Sequence, residues 1–304
     1  MMSQAFATID AVLGDSESRY FGEGHTRVRY AFSEHRTVRL VQCTTTIEGS
    51  RSAKGGKEAA THVSSLDAVV LADYVTKRHF AEVTNPAPAL VDTLYMTRAV
   101  VKAGNEPAPI EEIAVSVEFD APDRINSQTD LSVKARVANL DLDLYFMEAA
   151  PQPLNAADPW KSRPTRILDL VIGAGASKVS ATALVEAVSG ASSSRVQVPE
   201  ALLIAAQMAQ ALVYCHDEME RSESHNLWMR RIDLKMEPNK PLAPGVTTEV
   251  KGGIDRVRDV PLGGQIFRVF RISGGSDHFT CSADIAHALP DRLAPRAARA
   301  RKRA

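Results

Sequence analysis

Cysteine is scarce in this chain of 304 residues: Cys43, Cys215 and Cys281 lie far apart, with no CxxC pair and no cluster of nearby histidines. A structural zinc site needs a closer set of ligands and a disulfide framework an even one, so the three read as ordinary reduced thiols. His216, His225, His278 and His287 show no coherent metal spacing. There is no P-loop, no GxSxG elbow and no HExxH, which speaks against an NTPase, an α/β-hydrolase or a zincin. The glycines of GEGH, 22–25, lack the strand-before and helix-after context of a dinucleotide site. VIGAGAS, 171–177, lacks the third glycine and the acid. Both are expected to be turns, and no cofactor and no metal is expected.

Long apolar runs are missing too. No segment looks apolar over about 18 residues, so no membrane span is expected. The amino terminus carries Asp10 and Asp15 where a signal peptide needs a basic start and an apolar core, so a cytoplasmic protein of bacterial type is expected. An excess of charge of one sign is missing as well, since 36 Lys and Arg stand against 37 Asp and Glu, a net −1. The stretch Arg292–Arg303 nevertheless holds six basic side chains and no acidic one. The body ahead of it is therefore mildly acidic, which argues against nucleic acid as a partner. The tail is expected to be solvated and disordered.

What the chain does have is apolar residue, 44% of the total, enough for a sizeable core. Two segments fit buried helices, Ser65–Phe80 and Pro199–His216. Ser64 or Ser65 can cap the first, with Asp67 in its first turn, and Pro199 with Glu200 suits the start of the second. Neither has a wide polar face in its first half, so each needs to be enclosed. Strand-like runs follow the first helix at 94–103, 111–119 and 131–146, and the second at 227–236, 247–257, 264–272 and 279–288. GNEPAP, APDRINSQ, EPNKPLAPG, RDVPLGG and SGGSD read as the loops between them. Further strands are expected at 27–32, 37–47, 166–172 and 178–188.

The order of strands, one helix, then three or four strands thus occurs twice, with helix starts about 133 residues apart, too far for a solenoid repeat. The expected fold is α+β, a tandem (double) hotdog with each central helix wrapped by an antiparallel sheet. Its domains would be 1–150 and 151–290, joined near 149–164 and followed by a basic tail at 291–304. Two unrelated α+β domains sharing this order would read the same way. A single chain can pair the two halves internally, so a monomer or a homodimer is expected.

The second helix resembles the central helix of the hotdog dehydratases acting on β-hydroxyacyl thioesters, through Met208-Ala209-Gln210-Ala211. Aligned on that segment, the position of the catalytic acid holds Ala206, with Gln207 beside it. Gln can orient a carbonyl or a water but cannot exchange a proton near neutral pH. In the first helix the acid position holds Asp73, and His62 lies on the preceding loop. A carboxylate in an apolar helix near an imidazole suits general base work. His62 packing on its loop and Asp73 at an exposed helix edge are the plainer alternatives. Ser64, Ser65, Asp67 and Glu200 stand at helix starts, where backbone N–H groups can meet a developing oxyanion. Capping is the plainer role for each serine. Arg51, Lys54, Lys57 and Arg195 could hold a phosphate from flanking loops.

Together with the run TIDAVLGDSESRYFGEGHTRVRY, 8–30, and HVSSLDAVVLA, these helices make the chain resemble the avirulence D family over residues 4 to about 290. That family is associated with syringolides, and its chemistry is similar to that of the A-factor synthases, tandem-hotdog proteins that move a β-ketoacyl group from a carrier thioester to a hydroxyl. The resemblance implies an acyltransferase with His62 and Asp73 as catalytic groups. It implies an acyl carrier protein or acyl-CoA as donor and a small ketose-like acceptor. An acyl thioesterase or dehydratase, or a non-catalytic acyl-binding module, would share the same fold.

Overall fold

A computed structural model describes residues 2–36, 40–48, 53–54, 57–58, 62–84, 91–104, 106–119, 130–153, 159–188, 194–223, 227–290 and 293. The expectation for the basic tail falls outside these residues apart from Leu293, as do Arg51 and the side chains of Lys54 and Lys57.

The strands are β1 (Gln4–Thr8), β2 (Arg29–Arg36), β3 (Leu40–Glu48), β4 (Ala53–Lys54), β5 (Lys57–Glu58), β6 (Val91–Lys102), β7 (Ile113–Phe119) and β8 (Asp130–Val137). They continue with β9 (Leu140–Pro153), β10 (Thr165–Ile172), β11 (Lys178–Val185), β12 (Trp228–Met236), β13 (Thr247–Leu262), β14 (Gln265–Gly275) and β15 (Phe279–Ala288). The long helices are α2 (Ser65–Thr84) and α4 (Val198–His216); α1 (Asp10–Leu13) and α3 (Pro159–Ser162) are single turns.

Among the described residues thirteen strands form one antiparallel sheet in the order β1-β10-β11-β13-β14-β15-β12-β6-β9-β8-β7-β3-β2, while β4 and β5 pair separately. Helix α2 packs on β6, β7, β8 and β9, and α4 on β10 to β15. The two groups of strands meet where β6 pairs with β12, Val101 opposite Ile232, and the two helices touch each other. A large antiparallel sheet with long buried helices against it fits a hotdog fold. Strand alternation supplies the core, since Val133, Ala135 and Val137 point inward from β8, and Val179, Ala181, Ala183 and Val185 from β11.

Several details differ from the sequence reading. The run 131–146 is a hairpin, turning at Ala138 and Asn139 with Ala138 at φ 51. Its alternation of apolar and polar residues runs on nearly unbroken through the turn, and no glycine or proline marks it. RDVPLGG is largely strand, with β13 running to Leu262 and turning at Gly263 and Gly264, both at positive φ as a two-residue hairpin requires. SGGSD is likewise half strand, since β14 continues through Gly275. The first strand is absent from the sequence reading, and it leaves the half it belongs to in sequence: β1 pairs with β10, Phe6 opposite Leu170. Finally, α4 is long and apolar enough by composition to cross a membrane, against the sequence expectation. However, 78% of that window is buried inside the protein, where the sheet covers it.

Candidate functional site

The start of α2 is built by a reciprocal cap. Ser64 Oγ accepts the Asp67 N–H at 3.1 Å, while Asp67 Oδ2 accepts the Ser64 N–H at 2.8 Å and the Ser64 hydroxyl at 2.7 Å. Asp67 is fully buried, and its other oxygen accepts hydroxyls from Tyr20 at 2.5 Å and Tyr30 at 2.9 Å. A buried carboxylate needs such partners. Asp67 therefore holds three separate segments together and is not an open ligand. The first helical bond runs from Ala68 N–H to Ser64 O, so the N–H groups of Ser65 and Leu66 precede the helical ladder. His62 lies half-buried just ahead of this turn.

The start of α4 has an analogous cap. Gln197 and Glu200 form the box, with Glu200 Oε2 accepting the Gln197 N–H at 2.6 Å. Glu200 also meets Arg163 at 2.7 Å, both side chains fully enclosed. Burial pushes the Glu200 carboxyl up to about 7, with Arg163 and the Gln197 N–H pulling the other way. Its side chain is engaged by the cap and by Arg163, so what α4 offers a ligand is its backbone.

Asp73 lies eight residues beyond Ser65, about 12 Å along the helix, and pairs with Lys77 at 3.1 Å. Lys77 is in electrostatic reach of Tyr95 on β6, which also feels Arg195 and Glu200. The Tyr95 hydroxyl donates to Val196 O at 3.2 Å, and Arg195 lies over its ring at 5.6 Å. Burial pushes the Tyr95 hydroxyl up to about 12. The acid-bearing stretch of α2 thus faces the start of α4. His62, Ser64, Ser65 and Asp67 cluster at one helix start, with Asp73 two turns away from them.

Between α4 and the inner face of β11 to β15 lies a cleft. Leu202, Ala205, Ala206 and Ala209 line it from the helix, and Ser65 and Phe21 from the other half of the chain. Ala206, at the acid position of the dehydratase pattern, is therefore a methyl group in the wall. Ser65 is the one residue of the expected site that lines this cleft. Gln207, next to Ala206 in sequence, is buried and turned elsewhere: its Oε1 accepts from Arg19 Nη1 at 2.8 Å and its Nε2 donates to Leu203 O at 3.3 Å. Arg19 also meets Asp10 and the Asp15 carbonyl, which ties residues 10–19 to α4.

Sequence reasoning misses Arg19, Tyr20 and Phe21, because their roles depend on where a loop folds back, and Tyr30, because its role depends on where β2 lies against α2. It also misses the double glycines 252–253 and 274–275, although glycine inside a strand pattern is a known sign of close approach. Among the described residues no group of three or more His, Cys, Asp or Glu could hold a metal ion.

Solved structures similar to the chain include the tesB protein MAP1729c of Mycobacterium avium subs paratuberculosis, at 10% identity and TM-score 0.44, covering 85% of this chain and 96% of that one. Acyl-CoA thioesterase II TesB2 from Mycobacterium marinum follows at 9% and 0.44, covering 86% and 96%. The 12:0-ACP thioesterase from Umbellularia californica stands at 8% and 0.40, covering 86% and 97%. No curated protein matches the sequence. The family profile described as Pseudomonas avirulence D protein (AvrD) matches residues 4–162 and 161–290. With nearly the whole length matched, the chain belongs to the AvrD family.

Proposed function

We propose that this protein is a hotdog-type acyl-thioester enzyme, built as two hotdog units in tandem over residues 1–150 and 151–290. It transfers a β-ketoacyl group from an acyl carrier protein or CoA to a hydroxyl of a small ketose-like acceptor. The product would be a precursor of a butenolide or syringolide-like signalling metabolite. The observation that carries this reading is the apolar cleft along α4 with the first turn of α2 in its wall at Ser65. An acyl chain fits the apolar wall, and a carbonyl oxygen fits the N–H groups at a helix start.

In this mechanism His62 accepts the proton of the acceptor hydroxyl, and the alkoxide attacks the thioester carbonyl. The N–H groups near Ser65 stabilise the oxyanion, and the thiolate leaves as the proton is passed to it. Asp73, two turns further along α2, is the second proton-handling group of the proposal. Dehydration is the weaker reading, because Ala206 in the cleft wall has no proton to exchange.

Hydrolysis would use the same cleft with water as nucleophile. Incubating the protein with a β-ketoacyl thioester, with and without a ketose acceptor, separates the two. Thiol release that requires the acceptor, with an ester as product, is expected. Release at the same rate without it would overturn the transferase in favour of a thioesterase.

A further inference from the structure

Small residues stand on both walls of the α4 cleft. On the helix, Ala205, Ala206 and Ala209 present methyl groups at i, i+1 and i+4, on one face with Leu202. On the sheet, Gly252 of β13 stands opposite Gly274 of β14 in the hairpin register. Gly274 has no room for anything else, since a Cβ there would lie 2.4 Å from Lys251 O and 2.8 Å from Gly252 Cα. Gly252 differs. A Cβ at that position would meet nothing closer than 3.4 Å, at Ser273 O and Val179 Cγ1, and Val179 is itself a wall residue. The packing of the sheet does not demand glycine at 252, yet a larger residue there would take up cleft volume.

The empty space follows the helix from Leu202 to Gln210, about 12 Å at the helical rise, so it is elongated. Its walls carry few polar groups: Ser65, Gln210, Lys251, Ser273 and the Cys281 thiol, which burial keeps neutral. A long apolar slot with a helix start in its wall, the positive end of the helix dipole, suits an unbranched chain ending in a carbonyl. We propose that this cleft seats the unbranched acyl chain of the donor, and that Gly252 on the sheet and Ala206 on the helix set the longest chain it accepts. The proposal rests on the acyl-thioester reading for the nature of the ligand. It assigns chain selection to the half that has no acid at the helix position.

The test has a binding arm and a turnover arm. The binding arm measures the affinity of saturated fatty acids of increasing length for the full-length protein by calorimetry, for wild type, Gly252→Val and Ala206→Leu, with circular dichroism as the fold check. Both variants are expected to bind short acids like wild type and to lose long ones, by roughly fourfold in affinity for each methylene excluded. If Gly252→Val does not fold, Gly252→Ala, which adds only the Cβ, carries the same comparison with a smaller shift.

Unchanged length profiles in folded variants, or no binding of any fatty acid by wild type, would overturn the assignment. The turnover arm measures thiol release from β-ketoacyl thioesters of matching lengths in the presence of the ketose acceptor. Turnover with an unaltered length preference in both variants removes the chain-length role and leaves the enzyme reading standing. A shifted binding profile with no thiol release in any protein removes the enzyme reading and leaves the acyl cleft standing.

Discussion

Arg19 and Gln207 meet in the interior, Nη1 donating to Oε1 at 2.8 Å, and through them a loop of the first half is fastened to the central helix of the second. Gln207 sits beside the position where hotdog dehydratases hold their acid, yet its carbonyl oxygen is directed at this guanidinium. Phe21, two residues after Arg19, reaches the cleft from the same loop. The pair thus helps to place one wall of the cleft as well as to join the halves.

Gln207→Met keeps the volume but leaves a buried Arg19 N–H with no acceptor. A loss of about 1–3 kcal/mol in urea unfolding is expected. Arg19→Met should also destabilise, and the double variant should lose less than the sum of the two, because each single change strands the other partner. Additive losses would mean that the contact does not couple the loop to the helix.

Tyr20 and Tyr30 both donate to Asp67, a buried charge. Tyr20→Phe is expected to cost about 1.5–3 kcal/mol, the range for hydrogen bonds to charged groups. The cost should exceed that of Tyr30→Phe, since the distances are 2.5 Å and 2.9 Å. Thermal melting of the two variants side by side checks the ranking.

For activity, His62→Ala and Asp73→Asn are each expected to lower product formation about 100-fold, the order for losing a general base. Asp73 also holds the largely buried Lys77, so its variant needs a second comparison. If Asp73→Asn with Lys77→Met recovers turnover, the part of Asp73 is to neutralise the buried Lys77 and not to move a proton.

Two buried groups act oppositely on stability over one pH range. Burial holds the His25 imidazole down to about 4 from an ordinary 6.5, against the pull of the Tyr20 carbonyl. Unfolded chains therefore take up a proton there first, and its contribution is lost as pH falls from 6.5 through 4. Glu200 is raised from 4.5 to about 7, chiefly by burial, so folded chains keep the proton longer and stability falls as pH rises from 4.5 to 7. Each group sets a slope of up to about 1.4 kcal/mol per pH unit, with opposite signs. His25→Asn should then make stability fall with rising pH across this window, and Glu200→Gln should make it rise. Denaturant titrations at several pH values read both slopes directly.

Much of the scaffold is legible in the sequence. The helices α2 and α4, the cap of α2 at Ser64, the first turn of α4 with Pro199 and Glu200, and most strands of the sheet follow from local chemistry, in which a residue's neighbours in sequence are its neighbours in space. The hairpin at Ala138, the continuation of β13 to Leu262 and that of β14 through Gly274 are not legible in that way. Turn and strand share an alphabet there, and only pairing with a neighbour decides between them. Of the expected site, His62, Ser64, Ser65 and Asp67 do share one helix start, because they are adjacent in the chain. Glu200 and Gln207 are taken up by Arg163 and Arg19, partners that no spacing rule connects to them.

The sequence by itself therefore determined two apolar helices that had to be enclosed, the strands to enclose them, and an acid present at 73 and absent at 206. Only the tertiary structure decided that the start of one helix lies beside the other, that β1 crosses to the far edge of the sheet, and that an open cleft runs along the helix without the acid. Local patterns report which face of an element is buried. Which element buries it, and where small residues on two walls oppose each other, depends on contacts between residues far apart in the chain.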